Sequence, residues 1–452
     1  MKHLTLQEHR RRINNINEAE LNNKKYTKRH RIDAYMPGQV TYNLGDYPSR
    51  FSIAPTEYDY KLLKSMAENG VELIQIHEEW NDAIRHLGAD KFTSFDPKGL
   101  QQFVDLCHHF GIKIIPYIST GYFQVTDPDF RDDFSRGHYD LKGSYFHFRK
   151  CYAGSAAWRE YILPKTFAIL DQYGFDGIYN DWGYDGLDIA QQKQMNKNPY
   201  EIEFSYDPEI EDLLCVIYNE VKRRGGIYKL HADLNNCPNT KDKVYDYLWI
   251  GEGVKSKEYG IGKTYKPYVV PCQHMEYTNY DNPDYYYASV IPFMQFPLLK
   301  HGRPLLGKAI GESDISYYDD GPNGEFNFFS RVKDYMEKYP AGPYVYSLWS
   351  AIPDDVEEYR RWSKYLALYK PMVEQSSVAY IELRESKAIC SQLPDDVYVS
   401  MFVNADMYLV ISNLTSDEYS LVLSEQWKNR ESGEVGNSFK VKTGEILFLV
   451  KN

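Results

Sequence analysis

From about residue 60 to residue 370, amphipathic stretches alternate with short apolar runs. This rhythm restricts the fold more than any other feature, because repeated strand–helix units build a parallel sheet covered by helices. Eight runs read as strands: 72–77, 113–119, 145–149, 176–180, 228–232, 247–250, 268–272 and 344–349. Eight such units make a (β/α)8 barrel, whose active site lies among the loops at the C-terminal ends of the strands. The segments between them have helical period. In Lys98 to Phe110, Leu100, Phe103, Val104 and Cys107 recur at i, i+3, i+4 and i+7 and form one apolar face. Further helices are expected at 157–173, 208–224, 286–300, 328–338 and 355–369.

After a break at Pro371 the texture changes to short alternating runs such as VYVSMFV, MYLVISNL, YSLVLS and EILFLV, the pattern of an antiparallel β-sandwich. The expected class is α/β: an N-terminal lead-in segment (1–55), a (β/α)8 TIM barrel (56–372) and a C-terminal antiparallel β-sandwich (373–452). The lead-in begins basic and helix-like and then turns rich in Tyr, Pro and Gly.

Composition removes several function classes. With 52 basic against 64 acidic residues and a net charge of −12, the chain is a poor partner for a phosphate backbone, so no nucleic acid is expected. No apolar run is long enough to span a bilayer, and the basic start MKHLTLQEHRRRINN lacks the apolar core of a secretory signal. A soluble, cytoplasmic protein without a membrane partner is expected. The six cysteines form no CxxC pair, which argues against a zinc knuckle or a disulfide framework. The 42 tyrosines and 7 tryptophans suit a carbohydrate cleft, where a ring stacks on a sugar face, and suit the filling of barrel strands equally well.

The segment Tyr173-Gly174-Phe175-Asp176-Gly177-Ile178-Tyr179-Asn180-Asp181-Trp182 runs from a helix end through a short strand to a carboxylate at the strand's C-terminal end. Asp176, at the strand's start beside Gly177, reads as structural; Asp181 is expected at the barrel mouth. This segment resembles the nucleophile strand, G-V-D-G-F-W-N-D, of the retaining α-glycosidases of clan D, the family 31 and 36 type. Cys151 to Arg159 (CYAGSAAWR) is similar to the D-F-T-N-P-A-A-R stretch of the same family, and Leu248-Trp249-Ile250-Gly251-Glu252 to its W-x-G-D-N stretch. The resemblance implies a retaining glycoside hydrolase acting on an α-linked glycoside, with Asp181 as nucleophile and Glu252 as general acid/base. Such a pair carries double displacement when its carboxyls stand about 5 to 5.5 Å apart. The chain departs from the family at Glu252, where Asp is usual, at Gly253, where Asn is usual, and at Trp182-Gly183, where Met-Asn is usual.

Alternatives stay open. The acid can instead be Asp233, Glu78 or Asp185. A barrel of the α-amylase type shares the G-F-D-G pattern and places its acid on the fifth strand. A non-catalytic carbohydrate-binding protein on a decayed glycosidase barrel would keep Asp181 for packing or sugar binding. Substrate contacts are expected from strand-end residues His77, Glu78, Trp80, Tyr117, Arg149, Trp182, His231, Asp233, His274 and Trp349. Lys229 reads as a sugar contact or as a structural partner. His231, Asp233, His274 and Glu276 invite a metal reading, but no HxH or HExxH spacing supports it, so neither metal nor cofactor is expected.

Overall fold

The structure is a computed structural model. It describes residues 4–23, 25–32, 35–47, 51–81, 92–125, 127–136, 140–142, 147–181, 206–232, 240–250, 269–271, 283–309, 338, 345–346, 356–374 and 378–452. Contacts divide the chain into one unit of residues 39–253 and 299–355 and a second of residues 1–38, 254–298 and 356–452.

The first unit is built on the barrel sheet. In chain order the eight strands of that sheet are Gln39–Asn43, Leu73–Ile76, Lys113–Ser119, Gly177–Asp181, Ile227–Ala232, Tyr247–Ile250, Val269–Pro271 and Leu299–Gly302; all but Val269–Pro271 belong to this unit. The last of these lies beside the first, and the others follow in sequence order, as a (β/α)8 barrel requires. Every pairing from the eighth strand through the first to the sixth is parallel.

Six of the eight expected strands are in this sheet, and two are not. The stretch expected at 145–149 is the strand His147–Lys150, which is central in a separate three-stranded antiparallel sheet with Tyr122–Gln124 and Asp140–Lys142. The stretch expected at 344–349 is described at Val345–Tyr346, which pairs with Lys308–Ala309. Their places in the barrel belong to Gln39–Asn43 and Leu299–Gly302. The latter ends a run that reads as a helix over 286–300. The helix stops at Val290, a short turn covers Ile291–Phe293, and Met294 takes a left-handed φ of 60°. Pro292 and Pro297 supply no N–H to continue the helix, which frees the chain to enter the sheet.

Local signals set the barrel helices. Pro97–His109 starts at Asp96, whose side chain accepts from Gly99 N, and buries Leu100, Phe103, Val104 and Cys107. Pro208–Arg223 starts at Asp207 with Pro208 at its first turn, carries Glu209 and Glu211 there, and ends on Lys222 and Arg223, charges that suit the helix dipole. Ala156–Tyr173 is capped by Ser155 and closed by Gly174 in the left-handed conformation.

The strand starts are tied to backbone. Asp176 accepts from Ile114 N at 2.9 Å and from His108 Nε2 at 2.8 Å. Asp246 does the same one strand pair further on, accepting from Tyr228 N and from Lys222 Nζ, both at 2.9 Å. At Gly177, φ is 146° and a Cβ would lie 1.9 Å from the Ile227 carbonyl oxygen, so only glycine fits between the fourth and fifth strands. Where the eighth strand ends, Arg303 donates to both carboxylate oxygens of the fully buried Asp59 at 2.9 Å and to the carbonyls of Leu44, Ser52, Ile53 and Ala54. Burial raises the Asp59 carboxyl, but the hydrogen bonds and charge of Arg303 outweigh it and leave Asp59 below its ordinary value.

The second unit carries a seven-stranded antiparallel sheet in the order Lys25–Ile32, Val378–Glu385, Val397–Val403, Met407–Asn413, Ile446–Lys451, Tyr419–Asn429, Val435–Val441. The N-terminal stretch thus supplies an edge strand, and before it the helix Leu6–Asn22, opened by a Thr5–Glu8 capping box. Alternate residues Leu383, Val399, Leu409, Leu421, Trp427 and Leu449 converge with Ala19 of that helix on one core. The helix Val356–Val373 runs two residues past Pro371, so the break expected at Pro371 falls two residues later.

Candidate active site

Alternation along the fourth strand separates two neighbouring polar residues. Asn180 is buried on one face, where its amide donates to Tyr228 Oη at 2.7 Å and to Thr120 Oγ1 at 2.9 Å. Asp181 and Tyr179 therefore share the other face. Asp181 is the last residue of the strand and is only partly buried. From the third strand, Tyr117 donates its hydroxyl to Asp181 Oδ2 at 2.6 Å. Burial and then the Asp181 charge push the Tyr117 hydroxyl well above its ordinary value, so this oxygen keeps its proton and serves as a donor to the carboxylate.

Around this pair lies an aromatic and imidazole cluster. His77, just past the second strand, stacks on Tyr117 at 6.1 Å between ring centres and meets the edge of Tyr179 at 5.8 Å. Tyr179 Oη is 2.8 Å from His231 Nδ1, and His231 packs on Trp249 at 4.8 Å. Below them Lys229, wholly buried, donates to Gln75 Oε1 at 3.0 Å. The second, third, fourth, fifth and sixth strands thus converge on one patch of polar rings with a half-open carboxylate at its upper edge.

The expected contacts fall into three groups. His77, Tyr117 and His231 are in the cluster, and the charge of Glu78 acts on Tyr117. Trp80 and Arg149 are placed by other partners. Trp80 is fully buried, its indole N–H donates to the Tyr117 carbonyl at 3.0 Å, and its ring packs edge-on to Tyr173 and Phe175. Arg149 stands in the three-stranded sheet, donates to Asp132 at 2.8 Å and lies over the Phe130 ring. Glu252, Trp182, Asp233, His274 and Trp349 lie outside the described residues. Among the described residues no group of three or more His, Cys, Asp or Glu is arranged to hold a metal ion, and no helix is long and apolar enough to cross a membrane.

The barrel geometry agrees with comparisons to solved structures. A noncanonic maltogenic α-amylase of Thermotoga neapolitana superposes with a TM-score of 0.51 at 12% identity, over 92% of this chain and 99% of that one. The trehalose-6-phosphate hydrolase of Bacillus licheniformis gives 0.52 at 11% identity, and an α-amylase from Lactobacillus plantarum 0.52 at 10%, each over 92% of this chain and 99% of the other. The likeness is one of fold. No family model matches the sequence, and no curated protein does. In the barrel of this chain, Asp181 occupies the C-terminal end of the fourth strand, the end at which (β/α)8 barrels carry their active sites.

One group in this region escaped the sequence reading. Glu79, next to Glu78 in the turn Glu78–Trp80, is 1% exposed, and its Oε2 has no hydrogen-bond partner among the described residues. Burial, with the charge of Glu78 adding to it, raises its carboxyl to about 8. Two adjacent glutamates look alike in sequence; only the turn decides which one is sealed from water.

Proposed function

We propose that this chain is a retaining glycoside hydrolase that acts on an α-linked glycoside or oligosaccharide, with Asp181 as nucleophile and Glu252 as general acid/base. The observation that carries the reading is a carboxylate at the end of the fourth strand, partly open to solvent and held by the Tyr117 hydroxyl at 2.6 Å. The hydrogen bond fixes one oxygen of Asp181 and leaves the other to attack. In the first displacement this oxygen bonds to the anomeric carbon while the glycosidic oxygen leaves with the proton of Glu252. In the second, Glu252 takes a proton from water, the water oxygen bonds to the anomeric carbon, and the ester to Asp181 breaks. The amylase and trehalose-6-phosphate hydrolase names of the structural neighbours agree with an α-linked substrate.

A second reading for the acid has its own support. The fifth strand ends at Ala232, so Asp233 follows it directly, at the position where the α-amylase type keeps its acid. Hydrolysis of a panel of α- and β-linked aryl glycosides by the wild type, Asp181→Asn, Glu252→Gln and Asp233→Asn separates the possibilities. The proposal expects activity to vanish with Asp181→Asn and to fall steeply with Glu252→Gln. Activity that survives Glu252→Gln and is lost with Asp233→Asn moves the acid to the fifth strand. Unchanged activity in Asp181→Asn overturns the mechanism.

A further inference from the structure

Inside the barrel, a chain of three side chains from the second and fifth strands has hydrogen-bond directions set by what each atom can do. Lys229 Nζ lies 3.0 Å from Gln75 Oε1. Nζ donates and the amide oxygen of Gln75 accepts, so that oxygen faces Lys229. The amide nitrogen of Gln75 then faces His77 Nε2 at 3.2 Å, and an amide NH2 only donates. His77 Nε2 is therefore the acceptor, and the hydrogen of the uncharged ring sits on Nδ1. From the first strand Thr41 Oγ1 stands 3.5 Å from the same nitrogen, a hydroxyl that can also donate to it. Lys229 and Gln75 are both wholly buried and His77 is nearly so, which keeps water from reversing the order.

We propose that Lys229 and Gln75 are positioning residues that lock His77 as the Nδ1–H tautomer, so that His77 meets substrate as a hydrogen-bond donor. Its ring stacks on Tyr117, whose hydroxyl holds Asp181. The substrate group it reads is then a lone pair of a sugar hydroxyl on the ring attacked at Asp181. The identity of that group rests on the glycosidase reading; the tautomer does not.

The test uses the full chain labelled with 15N-histidine. Two-bond 1H–15N spectra give the protonation of each ring nitrogen, and loss of one signal set in His77→Gln assigns residue 77. The expected wild-type pattern is a protonated Nδ1 and an unprotonated Nε2. Gln75→Glu, whose carboxylate cannot donate, is expected to move the hydrogen to Nε2. A wild-type Nε2–H, or a His77 pattern unchanged in Gln75→Glu, overturns the lock. Lys229→Met provides a second route: the Nδ1–H population is expected to drop, and on the best aryl glycoside KM is expected to rise about tenfold with kcat less affected. An unaltered tautomer in a folded Lys229→Met protein also overturns it. A correct tautomer in a protein that cleaves no glycoside refutes the glycosidase reading alone, whereas Asp181-dependent hydrolysis with His77 protonated on Nε2 refutes the lock alone.

Discussion

The two ends of the barrel sheet use the same residue types in opposite ways. At the strand starts, Asp176 and Asp246 are spent on backbone N–H groups of the neighbouring strands and on nearby cations. At the strand ends, Asp181 is held by the Tyr117 phenol and stays partly open, and its neighbours His77, Tyr117, Tyr179 and His231 meet one another side chain to side chain. Carboxylates bonded to backbone fix a register. Asp181, bonded to a hydroxyl, is left partly open to solvent. The lesson is that the position of an Asp along a barrel strand matters more than its presence.

This contrast can be broken at either end. The largest effect is expected at the mouth: Asp181→Asn should lower kcat/KM by about a thousandfold or more, the loss typical of a removed nucleophile, with an unchanged circular dichroism spectrum. At the floor, Gly177→Ala should do the reverse. Its methyl group meets the Ile227 carbonyl in a backbone conformation that L-residues avoid, so a denaturant melt should show a loss of about 3 kcal/mol, while the folded fraction keeps its specific activity.

Tyr117→Phe sharpens the comparison. It removes a hydrogen bond to a charged acceptor, worth about 1.5–3 kcal/mol, so kcat/KM should drop roughly 10- to 100-fold with stability less affected. An equal loss in Tyr117→Phe and in Tyr42→Phe, whose buried hydroxyl donates to Asp59 and not to Asp181, would show that packing and not the hydroxyl to Asp181 is at stake. The last prediction is a slope with pH and concerns Glu79. The folded chain keeps its proton up to about pH 8, while the unfolded chain loses it near the ordinary value of about 4.3. Between these the folded state holds the extra proton, so Glu79 lowers stability as pH rises, by at most ~1.4 kcal/mol per pH unit. Glu79→Gln should flatten this slope in melts taken from about pH 5 to pH 8; an unaltered slope would mean that the carboxyl is ionised in the fold.

The motif around Asp181 was legible because each of its signals is local. Gly174 closes a helix, Gly177 permits a close approach, an apolar pair makes the strand, and a carboxylate follows. The first barrel strand was not legible, since Gln39–Asn43 alternates Gln, Thr and Asn with Val and Tyr yet is buried throughout, and its polar side chains are tolerable only because the barrel interior itself is polar. Arg149 misled for the opposite reason: YFHFR has every mark of a strand, and its described part, His147 to Arg149, is in one, but in another sheet.

The sequence by itself determined the βα alternation, the change to antiparallel strands after the last long helix, and the candidate carboxylate at the end of the fourth strand. These follow from periodicity, caps and turn residues, which act over a few positions. Only the tertiary structure decided which strands enter the barrel, which of Glu78 and Glu79 is sealed from water, and how Lys229, Gln75 and His77 join. Strand pairing and burial are settled between residues far apart in the chain, such as Lys229 and Gln75, and no local pattern records them.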